Sequence, residues 1–217
     1  MNISSQFQNS GLSPNKVLSQ TYRLLGMTLL FAAFTAFLSM HIAVSINPWL
    51  FLISYFIVLF LVEKNKNNSL GIVFTFALTG LLGFSLGPVL NYTVATGNSG
   101  LIVSSFISTA AIFFVSSIIG MNKEKDYSSL GVFATIGILI SFVVSLLNIL
   151  IFKMSGLQVI ISAAFVMLST LVIVWETNNI VRGGERNYIS ATVTLFVSLY
   201  NIFSSVLNLL LSASSDD

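Results

Sequence analysis

An all-α polytopic membrane protein, a bundle of seven transmembrane helices with the last one central, is the fold this sequence predicts. Three observations predict it. Of 217 residues, 55% are hydrophobic and only 7% charged, and the mean hydropathy is +0.94; a soluble domain carries about 25% charged residues. A chain this apolar cannot hide its surface from water, so its solvent is lipid. Seven apolar runs approach the roughly 20 residues that a helix needs to cross the hydrocarbon. Those runs do not alternate in polarity, and of the two spanning structures that lipid admits, helices and closed barrels, that leaves helices.

The same composition narrows the chemistry. The net charge is +2 and the nine Lys and Arg are scattered, which excludes a nucleic-acid surface. There is no cysteine, hence no disulfide framework and no thiolate metal site. No H-E-x-x-H motif occurs, and no lysine lies within a span to form a Schiff base. No cofactor is expected, and the bilayer is the partner that composition implies.

Residues 1–23 form a polar N-terminal tail, charged only at Lys16 and Arg23. Within it, Ser13-Pro14 reads as an N-cap followed by a proline at the first helical position, so a short helix leads into the membrane. The first run, 24–44, is too long for a signal-peptide core and no small-residue cleavage pattern follows it. The further runs are 47–62, 70–90, 101–120, 130–152, 157–181 and 190–211, separated by SINP, EKNKNNS, NYTVATGNSG, MNKEKDYSS, KMSG and RGGERNY. The second is the weakest. The transmembrane domain is thus 24–211, and 212–217 is a short C-terminal tail ending in Asp216-Asp217.

Loop charge sets the orientation. Segments on the side of the N-terminus hold Lys16, Arg23, Lys64, Lys66, Lys123, Lys125, Arg182 and Arg186, and the opposite side holds only Lys153. Positive residues favour the cytoplasm, so the N-terminus is cytoplasmic and, after seven spans, the C-terminus lies outside.

One acid interrupts this pattern. Glu176 sits in the sixth run, six residues before Arg182, where Gly183-Gly184 should end the helix and Arg186 completes a basic inner loop. At about 1.5 Å per residue it lies about 9 Å inside Arg182, at the inner edge of the hydrocarbon. An acid at that depth marks a functional site by default; the competing reading is a residue that snorkels or pairs with Lys64, Lys66 or Arg182 as interface trim. In the last run, Asn187, Ser190, Thr194, Ser198, Asn201, Ser205, Asn208 and Ser212 recur every three or four residues, one polar stripe on a helix. A helix striped along its length belongs inside a bundle, where the stripe packs helices together or lines a cavity. Ser198 is about 12 Å in from Ser190, near the depth of Glu176 on an antiparallel neighbour.

In the third run, Gly80, Gly83 and Gly87 share a face that permits close helix approach, and Pro88 should kink or end the helix near the outer surface. Gly83 to Gly87 also fits G-x-S-x-G around Ser85, and the single histidine, His41, falls near the same outer face. That motif needs a strand–turn–helix setting, so packing explains the glycines better and His41 reads as an interfacial hydrogen-bonder. Trp49 and Trp175 suit the aromatic belts.

LTGLLGFSLGPVLNYTV and WETNNIVRGGERNYISATVTLFVSLYNIFSSVLNLLL resemble the two signature regions of the transmembrane Bax inhibitor motif family. The likeness covers nearly the whole chain and is most specific in GGE-x-NYI-x-ATV and SLYNIF. It implies a seven-helix bundle with the last helix central. For a bacterial member it implies an inner-membrane regulator, not an enzyme, that binds and modulates the membrane-anchored AAA protease FtsH, together with its associated membrane proteins, through a cytoplasmic tail matching residues 1–23. Other family members carry a pair of Asp residues near the inner side and act as a proton-sensitive calcium leak. The corresponding positions here are Glu176 and Ser198, with Asn201 next on the stripe. The alternative function is therefore a pH-sensitive calcium or proton leak with Glu176 as sensor. Two close carboxylates share a proton; this chain keeps one of the pair.

Overall fold

The computed structural model describes residues 13–42 and 47–214. Seven helices follow one another: α1 Pro14–Ile42, α2 Pro48–Asn65, α3 Ser69–Ala95, α4 Ser99–Gly120, α5 Ser128–Leu147, α6 Ser155–Val181 and α7 Tyr188–Ser214. All seven are long and apolar enough to cross a membrane, and no strand occurs among the described residues.

The helix ends follow from local chemistry. The Ser13 carbonyl accepts the N–H groups of Lys16 and Val17 at 2.8 and 3.1 Å, and Pro14 opens α1 as its position predicts. At 29 residues, α1 is about 43 Å long against a hydrocarbon of about 30 Å. Residues 14–23 of the polar tail are therefore its first turns; residues 1–12 lie outside the described residues. Asn47 caps α2, its Oδ1 accepting from Trp49 and Leu50 at 3.0 and 3.3 Å. This helix, the weakest run in the sequence, buries only Val62.

Pro88 does not end α3, which continues to Ala95. Proline removes one backbone donor, but neighbouring helices make such an interruption tolerable in a membrane helix. A π-turn at Asn148–Phe152, followed by left-handed Lys153 (φ 50°), closes α5; nothing in the sequence pattern foretold it. The Asn148 side chain stands in for the missing backbone partners, accepting from Met154 N at 3.0 Å and donating to Met154 O at 3.2 Å. Gly183 stops α6 as expected. Its φ of +82° suits a residue without Cβ, and its N–H bonds Ile180 O at 3.0 Å.

Asn187 is not the first member of the α7 stripe. It precedes the helix as its cap, Oδ1 accepting from Ile189 and Ser190 at 2.9 and 3.1 Å. The stripe proper begins at Ser190. From Asn187 to Ser212 no residue is exposed, which is the enclosure the stripe predicts for the last helix.

The chain divides into two compact units, Met1–Tyr92 with Ile180–Phe196, and Thr93–Asn179 with Val197–Asp217. In the first, the glycine face of α3 receives α1. A Cβ on Gly83 would overlap the Ala32 backbone and the Thr35 hydroxyl, one on Gly87 would overlap Ser39, and one on Gly80 would meet the Phe31 ring. Asn91 ties the far end by donating to Met40 O at 2.7 Å. At the other end Val17, Ile180 and Ala191, all fully buried, form a core with Leu18 and Tyr188 against it. In the second unit small residues again admit neighbours: Gly120 meets Val174 O and Thr177, Gly131 seats the Trp175 indole and Gly137 seats Leu168. Trp175 lays its indole on Gly131 and is half-buried, whereas Trp49 is 54% exposed.

Candidate functional site

Glu176 lies on the last turns of α6, in a stretch, residues 168 to 181, with no exposed residue. The side chain is 2% exposed, so it does not snorkel to water. A buried carboxyl group is costly in an apolar setting, and this one has polar company on its own helix. Thr177 follows it, and Ser169 lies seven residues earlier on the same face, both fully buried. The hydroxyls of Ser117, Ser169 and Thr177 are buried with no hydrogen-bond partner among the described residues. Ser117 is one turn ahead of Gly120, the point where α4 touches Thr177. The interior of the second unit therefore carries a polar patch along α6 and α4.

Ser198 is 3% exposed and Asn201 half-buried, both in the α7 segment of the same unit as Glu176. All three candidate gate residues thus fall within the second unit. The other candidates do not: Gly80, Gly83, Gly87 and Pro88, and the loop of Arg182, Gly183, Gly184 and Arg186, belong to the first unit. The glycines pack α1. Ser85 donates its hydroxyl to Leu82 O of its own helix at 2.7 Å, and His41 Nδ1 bonds Phe37 O at 2.8 Å, so the G-x-S-x-G segment is ordinary helix. Among the described residues no three His, Cys, Asp or Glu side chains gather as metal ligands.

Two residues that sequence reasoning passed over or misplaced each hold a loop, one in each unit. Asn178, 2% exposed, directs its Nδ2 at the carbonyls of Gly120, Asn122 and Lys125 at 3.1, 2.8 and 3.1 Å. Its Oδ1 accepts from Tyr127 N at 3.3 Å. One amide two residues from Glu176 thus fixes the whole α4–α5 loop. Asn187 does the same in the first unit. It donates from Nδ2 to Lys66 O and Asn67 Oδ1, both at 2.9 Å, and its own N–H donates to Glu185 Oε1 at 2.6 Å. An asparagine just before a helix start was the available signal for Asn187; for Asn178 the sequence held none.

Comparison with known proteins adds a frame. The pattern of the family described as "inhibitor of apoptosis-promoting Bax1" matches residues 14–216. The chain is similar to the Escherichia coli K12 protein named "Modulator of FtsH protease YccA", 42% identical over 98% of this chain and 97% of that one. It is also similar to an uncharacterised protein of Pseudomonas aeruginosa, 42% identical over 93% of this chain and 91% of that one. A third relative is an uncharacterised membrane protein of Vibrio cholerae, 35% identical over 95% and 93% of the two chains.

Proposed function

The chain belongs to the family of inhibitors of apoptosis-promoting Bax1, and from that premise we propose that it is a multi-pass inner-membrane regulator that binds and modulates an FtsH-type AAA protease. The observation that carries this reading is the end-to-end 42% identity to a protein named a modulator of that protease. In this reading the protein acts as a binding partner and carries out no chemistry of its own. The N-terminus is cytoplasmic and the C-terminus periplasmic, in line with the loop charges.

The division of the chain sharpens where the protease would engage. Val17 and Thr21 are fully buried, and the Thr192 hydroxyl, which donates to Tyr188 O of its own helix at 2.6 Å, lies 3.3 Å from Thr21 O. Residues 14–23 are thus committed to the helix bundle, which leaves residues 1–12, without a single charged side chain, as the handle. The leak reading ranks second, because its shared proton needs two close acids and Ser198 occupies the second position. A photoreactive residue placed within 1–12 tests the proposal in native membranes. Capture of a protease subunit is expected; no adduct from any of these positions, with both proteins present, would end the reading.

A further inference from the structure

The first unit gathers positive charge at one end. Lys16 and Arg23 come from the start of α1, Lys64 and Lys66 from the end of α2, and Arg182 and Arg186 from the α6–α7 loop. These segments are braced against one another. Pro14 packs at Gly183, Asn187 holds the α2–α3 loop through Lys66 O and Asn67, and Val17, Ile180 and Ala191 form a common core beneath. Lys16 and the two arginines thus flank the same Pro14–Gly183 contact. This unit carries six cations and two carboxylates; Glu63 pairs with Lys66, and Glu185 accepts the N–H of Asn187. Arg186 is held in place by its Nε, which donates to Gly183 O at 3.2 Å.

Depth decides what such a cluster would meet. The loop of residues 182 to 187 joins two helices that each span the membrane by length and composition, so it lies at the level of the lipid headgroups. Lys16, Arg182 and Arg186 are exposed. In the same unit α3, which follows the loop that Asn187 holds, opens with apolar side chains exposed, Leu70 at 53% and Val73 at 59%. Positive charge bordered by lipid-facing carbon fits a molecule with an anionic head and acyl tails. Arginine favours phosphate as the anion, because its planar fork binds it bidentately.

We propose that Lys16, Arg182 and Arg186, supported by Lys64 in the last turn of α2, form a binding site for the phosphate headgroup of an anionic phospholipid. The site does not rest on the protease reading and stands or falls separately from it.

The test uses the full-length protein in detergent, titrated with phosphatidylglycerol, phosphatidylcholine or glycerol phosphate, with bound lipids counted by native mass spectrometry. Phosphatidylglycerol should be retained over phosphatidylcholine by about tenfold or more, and the preference should shrink with salt. Arg182→Gln with Arg186→Gln should remove the preference, while Lys153→Gln at the other end of the spans should leave it. Equal retention of the two lipids, or a double variant that retains phosphatidylglycerol like the unmodified protein, would overturn the site. Displacement of phosphatidylglycerol by glycerol phosphate at matched concentration would overturn the lipid as its occupant. Should the double variant fail to fold, the salt titration of the unmodified protein decides, and a preference indifferent to salt overturns the proposal.

Discussion

Asn178 carries much of the structural responsibility for the α4–α5 loop. Its side chain serves three carbonyls and one N–H of the α4–α5 loop. Truncation in Asn178→Ala would strip all four at once. A buried group left unsatisfied costs about 1–3 kcal/mol, and water can reach the exposed part of this loop, so the expected loss is about 2–4 kcal/mol. Asn178→Asp should be at least as damaging, since it replaces the donor with an acceptor facing three carbonyl oxygens. Thermal unfolding in detergent, together with protease cleavage within residues 121 to 127, measures the effect; an alanine variant that melts and resists cleavage like the parent refutes the role. The sequence made Glu176 conspicuous and Asn178 invisible for a physical reason. A carboxylate in an apolar run is anomalous by itself, whereas the meaning of an amide lies in its partners, here more than fifty positions away along the chain.

Elements were legible where a periodicity or a steric rule was at stake. The spacing of Gly80, Gly83 and Gly87 announced a close approach, and α1 occupies it. Gly83→Ala should therefore overpack that seam, at a cost of about 1–3 kcal/mol, because the added methyl meets the Ala32 backbone and not the tip of a flexible side chain. Gly26→Ala on α1 is the matched control. Nothing lies within 4 Å of its Cβ position, and alanine is the better helix former by about 1 kcal/mol, so this variant should melt no lower than the parent. Equal behaviour of the two alanines would show that the α1–α3 seam is looser than its geometry. Features that depend on tertiary relief escaped the sequence. Pro88 stays inside α3, and the π-turn after Leu147 is closed by an Asn148 side chain whose reach to Met154 no pattern of hydrophobicity encodes.

At the scale of the whole molecule, seven spans would put the two termini on opposite faces, and the direction proposed above rests on the rule that cations stay on the cytoplasmic side during insertion. Eight Lys and Arg fall on the side of the N-terminus and Lys153 alone on the other, so reversal would carry eight cations across the bilayer in place of one. Hydropathy and loop charge made the spans and this bias readable from sequence; the division into two units was not, since it cuts through α3, α6 and α7. Because the chain has no cysteine, single cysteines report the orientation without background. In intact cells a membrane-impermeant maleimide should label Ser99→Cys and Met154→Cys, both at exposed positions, and spare Lys123→Cys and Gly184→Cys, exposed on the other side, until the membrane is opened. The inverse pattern would place residues 1–12 outside the cytoplasm, beyond the reach of a cytoplasmic AAA protease domain, and would remove the proposed regulation while leaving the headgroup site intact on the opposite leaflet.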